Sequence, residues 1–228
     1  MQGCGRRFLA EECAMARILV INPNCSGDCS AGIEAAIAPF RFAGGPALEV
    51  ATLVDGPPAV YSWRDWHAAA EPLCRRISAE IADAFVIACG SDPGIEAARG
   101  VTRRPVFGVF HSAVAAAVAR AERFGVIAIV EASKARHMLA LRTMGLADRL
   151  AAEVALNVTM EALLDPDLAR ARLIASAHKL AEAGAEVVVL GCTGMAHHRA
   201  AIANAVGLPV IEPCQAGVLM AIGAVGGG

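Results

Sequence analysis

Aromatic side chains make up only 4% of this 228-residue chain, and it holds just two lysines, Lys134 and Lys179. So few rings disfavour a nucleic-acid surface, which stacks bases on exposed aromatics. The net charge is -2 with both signs scattered, so no basic stripe invites nucleic acid or an anionic membrane. Both lysines lie on helical stretches among charged or polar neighbours, which argues against a Schiff-base lysine for pyridoxal phosphate. No G-x-G-x-x-G follows the first strand, and there is neither a G-K-[ST] loop nor a G-x-S-x-G elbow. Nicotinamide, P-loop and serine-hydrolase readings fall with them. No apolar run approaches the roughly 18 to 20 residues that cross a bilayer. Arg6 and Arg7 are followed by only Phe8-Leu9-Ala10 before Glu11 and Glu12, too short for the apolar region of a signal peptide. Residues 1–14 read as an extension ahead of Met15, and a cytoplasmic location is expected.

What the chain does have is small apolar residues and cysteine. It is 56% hydrophobic and 18% charged, so a well-buried core is expected, and so is association into a homo-oligomer. Eight cysteines in a protein expected in the cytosol argue for catalytic or metal use rather than a disulfide framework. Cys25 and Cys29 are separated by three residues, but no second close pair or matching His pair completes a zinc site, so no metal is expected. Cys13, Cys74 and Cys214 read as small buried hydrophobes.

Strand-like runs alternate with helical stretches, the pattern of an α/β fold with parallel sheets. The runs are 17–22, 48–53, 84–88, 105–109, 125–130, 186–190 and 209–211, with helical patterns over 64–83, 114–123 and 165–183. The chain is also written twice. Phe85-Val86-Ile87-Ala88-Cys89-Gly90 precedes Pro105-Val106-Phe107-Gly108, and Val188-Val189-Leu190-Gly191-Cys192-Thr193 precedes Pro209-Val210-Ile211-Glu212. Cysteine and proline are 16 residues apart in the first half and 17 in the second. Two similar lobes related by a pseudo-twofold follow, with the active site in the cleft between them. The lobes are expected at 15–111 and 112–212, with a C-terminal helix, 213–228, packing on the first.

In parallel sheets, ligands bind beyond the carboxyl ends of the strands, where Cys89 and Cys192 both stand. Facing lobes would set the two thiols across one cleft, the arrangement a two-base proton transfer needs. A helix N-terminus lowers a thiol into the range of roughly 3.5 to 7.5. Gly90-Ser91-Asp92-Pro93-Gly94 reads as a turn into a helix, with Ser91 or Asp92 as N-cap and Pro93 at the first helical position. Cys192-Thr193-Gly194 reads the same way. The backbone N–H groups of Gly90, Ser91, Thr193 and Gly194 would then serve an oxyanion or enolate.

Three segments resemble one family. Arg17-Ile18-Leu19-Val20-Ile21-Asn22-Pro23-Asn24 is similar to the opening of hydantoin racemases. Cys89-Gly90-Ser91-Asp92-Pro93-Gly94 is similar to their first catalytic motif, and Val189-Leu190-Gly191-Cys192-Thr193-Gly194-Met195 to their second. The wider group is the aspartate/glutamate/hydantoin racemase superfamily, and the likeness runs from about Arg17 to Gly217. It implies a two-lobed α/β fold, no cofactor and a small-molecule substrate, a 5-substituted hydantoin or allantoin. One cysteine thiolate would take the proton from C5 while the other thiol returns one to the opposite face. Asn24 would orient the substrate, or else cap the next helix within the N-P-N turn.

The chain departs from the family pattern at Phe110-His111-Ser112 and at Tyr61-Ser62-Trp63. His111, at the cleft end of a strand, is read as a substrate contact or as a partly exposed helix-start residue. Of His197 and His198, at most one should face the cleft. Aspartate and glutamate racemases are the nearest alternative, but no cation stands beside either motif in sequence, and Gly90-Ser91 replaces their Thr or Asn. Arylmalonate decarboxylases keep only the second cysteine. Maleate isomerases use a cysteine pair differently, and a non-catalytic small-molecule binding protein is the alternative outside enzymes.

Overall fold

The computed structural model describes residues 15–159, 162–163 and 166–226; residues 1–14, with Cys4 and Cys13, lie outside it. Two four-stranded parallel sheets form the frame. In the first, β2 (Ala47–Thr52), β1 (Arg17–Asn22), β3 (Ala84–Ile87) and β4 (Val106–Gly108) lie side by side in that order. In the second, the order is β6 (Leu150–Ala155), β5 (Phe124–Ala128), β7 (Val187–Leu190) and β8 (Val210–Ile211). Adding four to each strand number of the first sheet reproduces the second. The α/β fold with two like-wound lobes is thus present, and the written-twice sequence has its structural counterpart.

The inner strands are buried along their whole length, β3 as Ala-Phe-Val-Ile and β7 as Val-Val-Val-Leu, because helices cover both faces of a parallel sheet. The edge strand β6, Leu-Ala-Ala-Glu-Val-Ala, is only half-buried. It has no strong apolar run, which is why periodicity overlooked it. The helical pattern over 64–83 is in fact two helices, α2 (Trp63–Ala68) and α3 (Ala70–Ala79). The remaining helices are α1 (Gly27–Ile37), α4 (Ile95–Gly100), α5 (Val109–Val118), α6 (Glu131–Thr143), α7 (Pro166–Glu182), α8 (Arg199–Val206) and α9 (Pro213–Gly226).

Two helices tie the lobes together by crossing over. α5 follows the last strand of the first sheet, yet its Phe110, Ala113, Val114 and Ala117 pack with Val126, Val187 and Val189 of the second. α9 follows the last strand of the second sheet, and its Cys214, Val218 and Ala221 pack with Ile18, Val20 and Val86 of the first. The two crossing helices also pack on each other, with Gly217 at the contact, where a β-carbon would come within 3.0 Å of Val109 and Val86. Burying two apolar faces in this way, at about 25 cal/mol per Å² of apolar surface, fastens the two lobes to each other. No helix among the described residues is long and apolar enough to cross a membrane.

Candidate active site

The carboxyl ends of the four inner strands meet at one cavity of about 50 Å³. Asn24 reaches it from β1, Cys89 to Ser91 from β3, Ile129 from β5, and Gly191 to Thr193 from β7. Both sequence-repeated cysteines therefore line the same small space. The two turns touch: a β-carbon on Gly90 would overlap the Gly191 carbonyl, lying 2.6 Å from its carbon. Only glycine lets these two backbones come so close.

Both cysteines are half-buried residues on the wall of this cavity, and so small a space holds only a few waters. Poor hydration dominates: burial pushes the Cys89 thiol up from its ordinary value, and Cys192 up to about 12. The backbone N–H of Ser91 and the Ser91 hydroxyl, 3.8 Å from the Cys89 sulfur, pull the other way, as does the N–H of Gly194 on Cys192. The expectation of acidic thiols at helix N-termini is thus corrected. The helix after Cys89 starts only at Ile95, with Gly94 in left-handed backbone as its cap, and Cys192 leads into a 3-10 turn over Thr193–His198 rather than an α-helix. The dipole of a full helix does not bear directly on either sulfur.

Asp92 does not cap the helix that follows it. Its backbone turns left-handed, with φ 46, and its carboxylate accepts from the N–H groups of Phe110 at 2.9 Å and His111 at 2.8 Å. It thereby caps α5, the helix that crosses to the second lobe. His111 Nδ1 sits 2.6 Å from the same carboxylate. Gly108 makes room, since a β-carbon there would overlap the Asp92 carboxylate. His111 accordingly lines a separate cavity behind Ser91, with Trp66, Asp92 and Arg136.

Asn24 lines the cysteine cavity, but α1 is capped by Ser26, whose hydroxyl accepts from Cys29 N. The Asn24 side-chain oxygen accepts from Ser26 N at 2.9 Å and from Asn22 Nδ2 at 3.1 Å, which holds the turn. Gly194 and His197 lie on an adjoining cavity of about 250 Å³ that shares Cys29 and Thr193 with the first. His198 turns inward and is buried.

Sequence reasoning missed one wall. Ser133, Arg136 and His137 occupy one face of α6 at i, i+3 and i+4 and are 3%, 2% and 0% exposed. Ser133 and His137 line the cysteine cavity. His137 Nδ1 lies 2.5 Å from Glu153, its ring stacks on Phe110 at 4.4 Å, and its Nε2 has no hydrogen-bond partner among the described residues. Arg136 lines the cavity behind Ser91 and Asp92, so a cation does stand near the first motif, brought from the other lobe. A polar triplet on the face of a helix that should be apolar was the available signal. Tyr61, in the segment that departs from the family pattern, also lines the cavity.

Two inward-facing lobes, each with one cysteine at the end of an inner strand, define a class, and sequence comparison gives it a name. The chain belongs to the Asp/Glu/Hydantoin racemase family, whose pattern matches residues 18–221, and is an isomerase of the racemase type. It is 32% identical to a hydantoin racemase of Paenarthrobacter aurescens, covering 88% of this chain and 87% of that one. Among solved structures, it is similar to the allantoin racemase of Klebsiella pneumoniae, with a TM-score of 0.83, 29% identity and coverage of 92% and 88%. The allantoin racemase of Pseudomonas fluorescens matches with a TM-score of 0.84, 25% identity and coverage of 92% and 90%.

Proposed function

We propose that the protein racemises 5-substituted hydantoins or allantoin by moving a proton between Cys89, C5 of the ring and Cys192, without a cofactor. The observation that carries this reading is the shared cavity: two thiols, one from each lobe, on turns packed glycine against glycine. In the forward step the Cys89 thiolate takes the C5 proton, and the C5–H electron pair moves onto the neighbouring carbonyl as an enolate. The Cys192 thiol then gives its proton to the opposite face of C5. Cys89 ends as thiol and Cys192 as thiolate, so the reverse enantiomer runs the same path backward. Poorly hydrated thiolates are strong bases, which suits abstraction from carbon.

The N–H groups of Gly90 and Thr193 are assigned to the ring and its enolate oxygen, those of Ser91 and Gly194 to the two sulfurs, with Asn24 orienting the ring from β1. His111 acts at one remove, steadying Asp92 and the Cys89 turn. Both thiols must stay reduced, which fits a cytoplasmic setting; assembly into a homo-oligomer belongs to the same reading and is supported by the apolar composition.

The test is incubation of enantiopure 5-benzylhydantoin, and separately allantoin, in D₂O, beside a control without protein. Decay of optical rotation together with loss of the C5 proton signal is expected. Deuterium entry with rotation held would remove one of the two bases. No change in either would move the search to aspartate, glutamate, arylmalonate and maleate on the same scaffold.

A further inference from the structure

His137 stands on α6 with one nitrogen of its ring engaged and the other free. Nδ1 lies 2.5 Å from Glu153 Oε1 on β6, and the Glu153 side chain is only 6% exposed. A carboxylate accepts, so Nδ1 carries the proton of that bond. Phe110 covers a face of the ring at 4.4 Å. Cε1, which joins the two nitrogens, lies against the turn that carries Cys192: a β-carbon built on Gly191 would come within 3.0 Å of it. Nε2 is bonded to Cε1 and so stands at the foot of that turn, and His137 and Gly191 both line the cysteine cavity. Yet Nε2 is buried with no hydrogen-bond partner among the described residues. A buried polar atom left unmet is costly, and the wall of a ligand cavity is where that cost is retained for a ligand.

We propose that His137 is a substrate-binding residue whose Nε2 accepts a hydrogen bond from a ring N–H, selecting cyclic ureides over carboxylate substrates. The inference rests on the hydantoin reading and assigns the half of the ring that reading leaves unmatched. A hydantoin ring presents two carbonyl oxygens and two N–H groups. The cysteine turns offer N–H donors, which suit the carbonyls. The ring N–H groups need acceptors, and several at the cavity are already in use. Asn24 Oδ1 accepts from Ser26 N and Asn22 Nδ2, and Ser133 Oγ accepts from Arg136 Nη2. The Cys89 carbonyl accepts from Asp92 N, and the Cys192 carbonyl from Met195 N. Glu153 fixes the His137 tautomer: with the proton on Nδ1, Nε2 offers a lone pair and no donor. A ring N–H satisfies that lone pair, whereas a carboxylate would set an oxygen against it.

The experiment is ¹⁵N NMR of the full-length protein labelled at histidine, titrated with unsubstituted hydantoin. This ring keeps both N–H groups and has no stereocentre, so binding is read without racemisation. The Nε2 signal of His137, assigned by its loss in His137→Gln, is expected to shift with hydantoin concentration while Nδ1 stays in place. His137→Leu should weaken hydantoin binding about tenfold, the worth of one hydrogen bond. His137→Gln, whose amide oxygen takes the place of Nε2, should recover most of that loss; a merely structural role would show the loss in both variants. A still Nε2 signal at saturation, a proton on Nε2 in the bound state, or unchanged affinity in a folded His137→Leu protein would overturn the assignment. Absence of hydantoin binding would do the same. The titration of the unmodified protein decides even where the Leu variant fails to fold. If Nε2 shifts but 5-benzylhydantoin is not racemised, the function falls and the His137 assignment stands. If 5-benzylhydantoin is racemised but Nε2 is still, the function stands and the His137 assignment falls.

Discussion

Gly90 and Gly191 sit backbone to backbone, with no room for a β-carbon on Gly90 against the Gly191 carbonyl. The obstacle is main chain rather than a yielding side-chain tip, so Gly90→Ala must push the two cysteine turns apart. Displacement of about 1 Å costs on the order of 100-fold in rate, and that loss is expected in hydantoin racemisation. Gly223→Ala on α9, where nothing lies within 4 Å, is the control; it should stabilise by about 0.5–1 kcal/mol in thermal unfolding. Equal activity in Gly90→Ala would show that the turns need not touch.

Removal of either thiol should stop racemisation and leave the fold intact. Cys89→Ser and Cys192→Ser are each expected to lose roughly 10²- to 10⁴-fold, read by polarimetry with circular dichroism as the check on folding. Because burial raises both thiols, and Cys192 to about 12, the rate should climb with pH across the neutral and alkaline range. The thiolate fraction of Cys89 grows about tenfold per unit below its midpoint, while Cys192 remains a proton donor. A rate that is flat from pH 6 to 9 would contradict the raised thiols.

Glu212 precedes α9 and accepts from Cys214 N at 3.1 Å and Gln215 N at 2.7 Å, yet burial dominates and raises its carboxyl to about 7 from 4.5. Between those values the folded protein binds more protons than the unfolded chain. Its contribution is therefore complete below about pH 4.5 and disappears as pH rises through 7, a swing on the order of 3 kcal/mol. Urea unfolding at pH 5 and pH 8 should register this slope. Glu212→Gln should flatten it while weakening the cap, since an amide offers one acceptor oxygen in place of two.

Asp92→Asn tests the link between the first motif and the crossing helix. It removes the charge that holds the Phe110 and His111 amides, and about 1–3 kcal/mol of stability should go with it. Gly108→Ala should be equally damaging, because its methyl would overlap the same carboxylate. Chemical denaturation of both variants and of the double variant checks this, and a sub-additive double is expected for groups sharing one space.

Much of the frame could be read from residues 84–90 and 187–193. Unbroken runs of Phe, Val, Ile and Leu ending in cysteine mark fully buried parallel strands, and their repetition marks the pseudo-twofold. β6 was illegible because a half-exposed edge strand carries no such run. The role of Asp92 was illegible for another reason. A local rule assigns Asp-Pro to the helix that follows, whereas the carboxylate here reaches 18 residues onward to Phe110.

The sequence by itself determined the two-lobed parallel architecture and the pair of cysteines at equivalent strand ends, since burial and turn chemistry act between near neighbours. The tertiary structure decided the rest: which helix covers which lobe, what faces each sulfur, and how much water reaches it. Ser133, Arg136 and His137 come from α6, more than 40 residues from Cys89 and more than 50 from Cys192. Charge and hydration act through space, so neither their placement nor the raised thiols could be read from order along the chain.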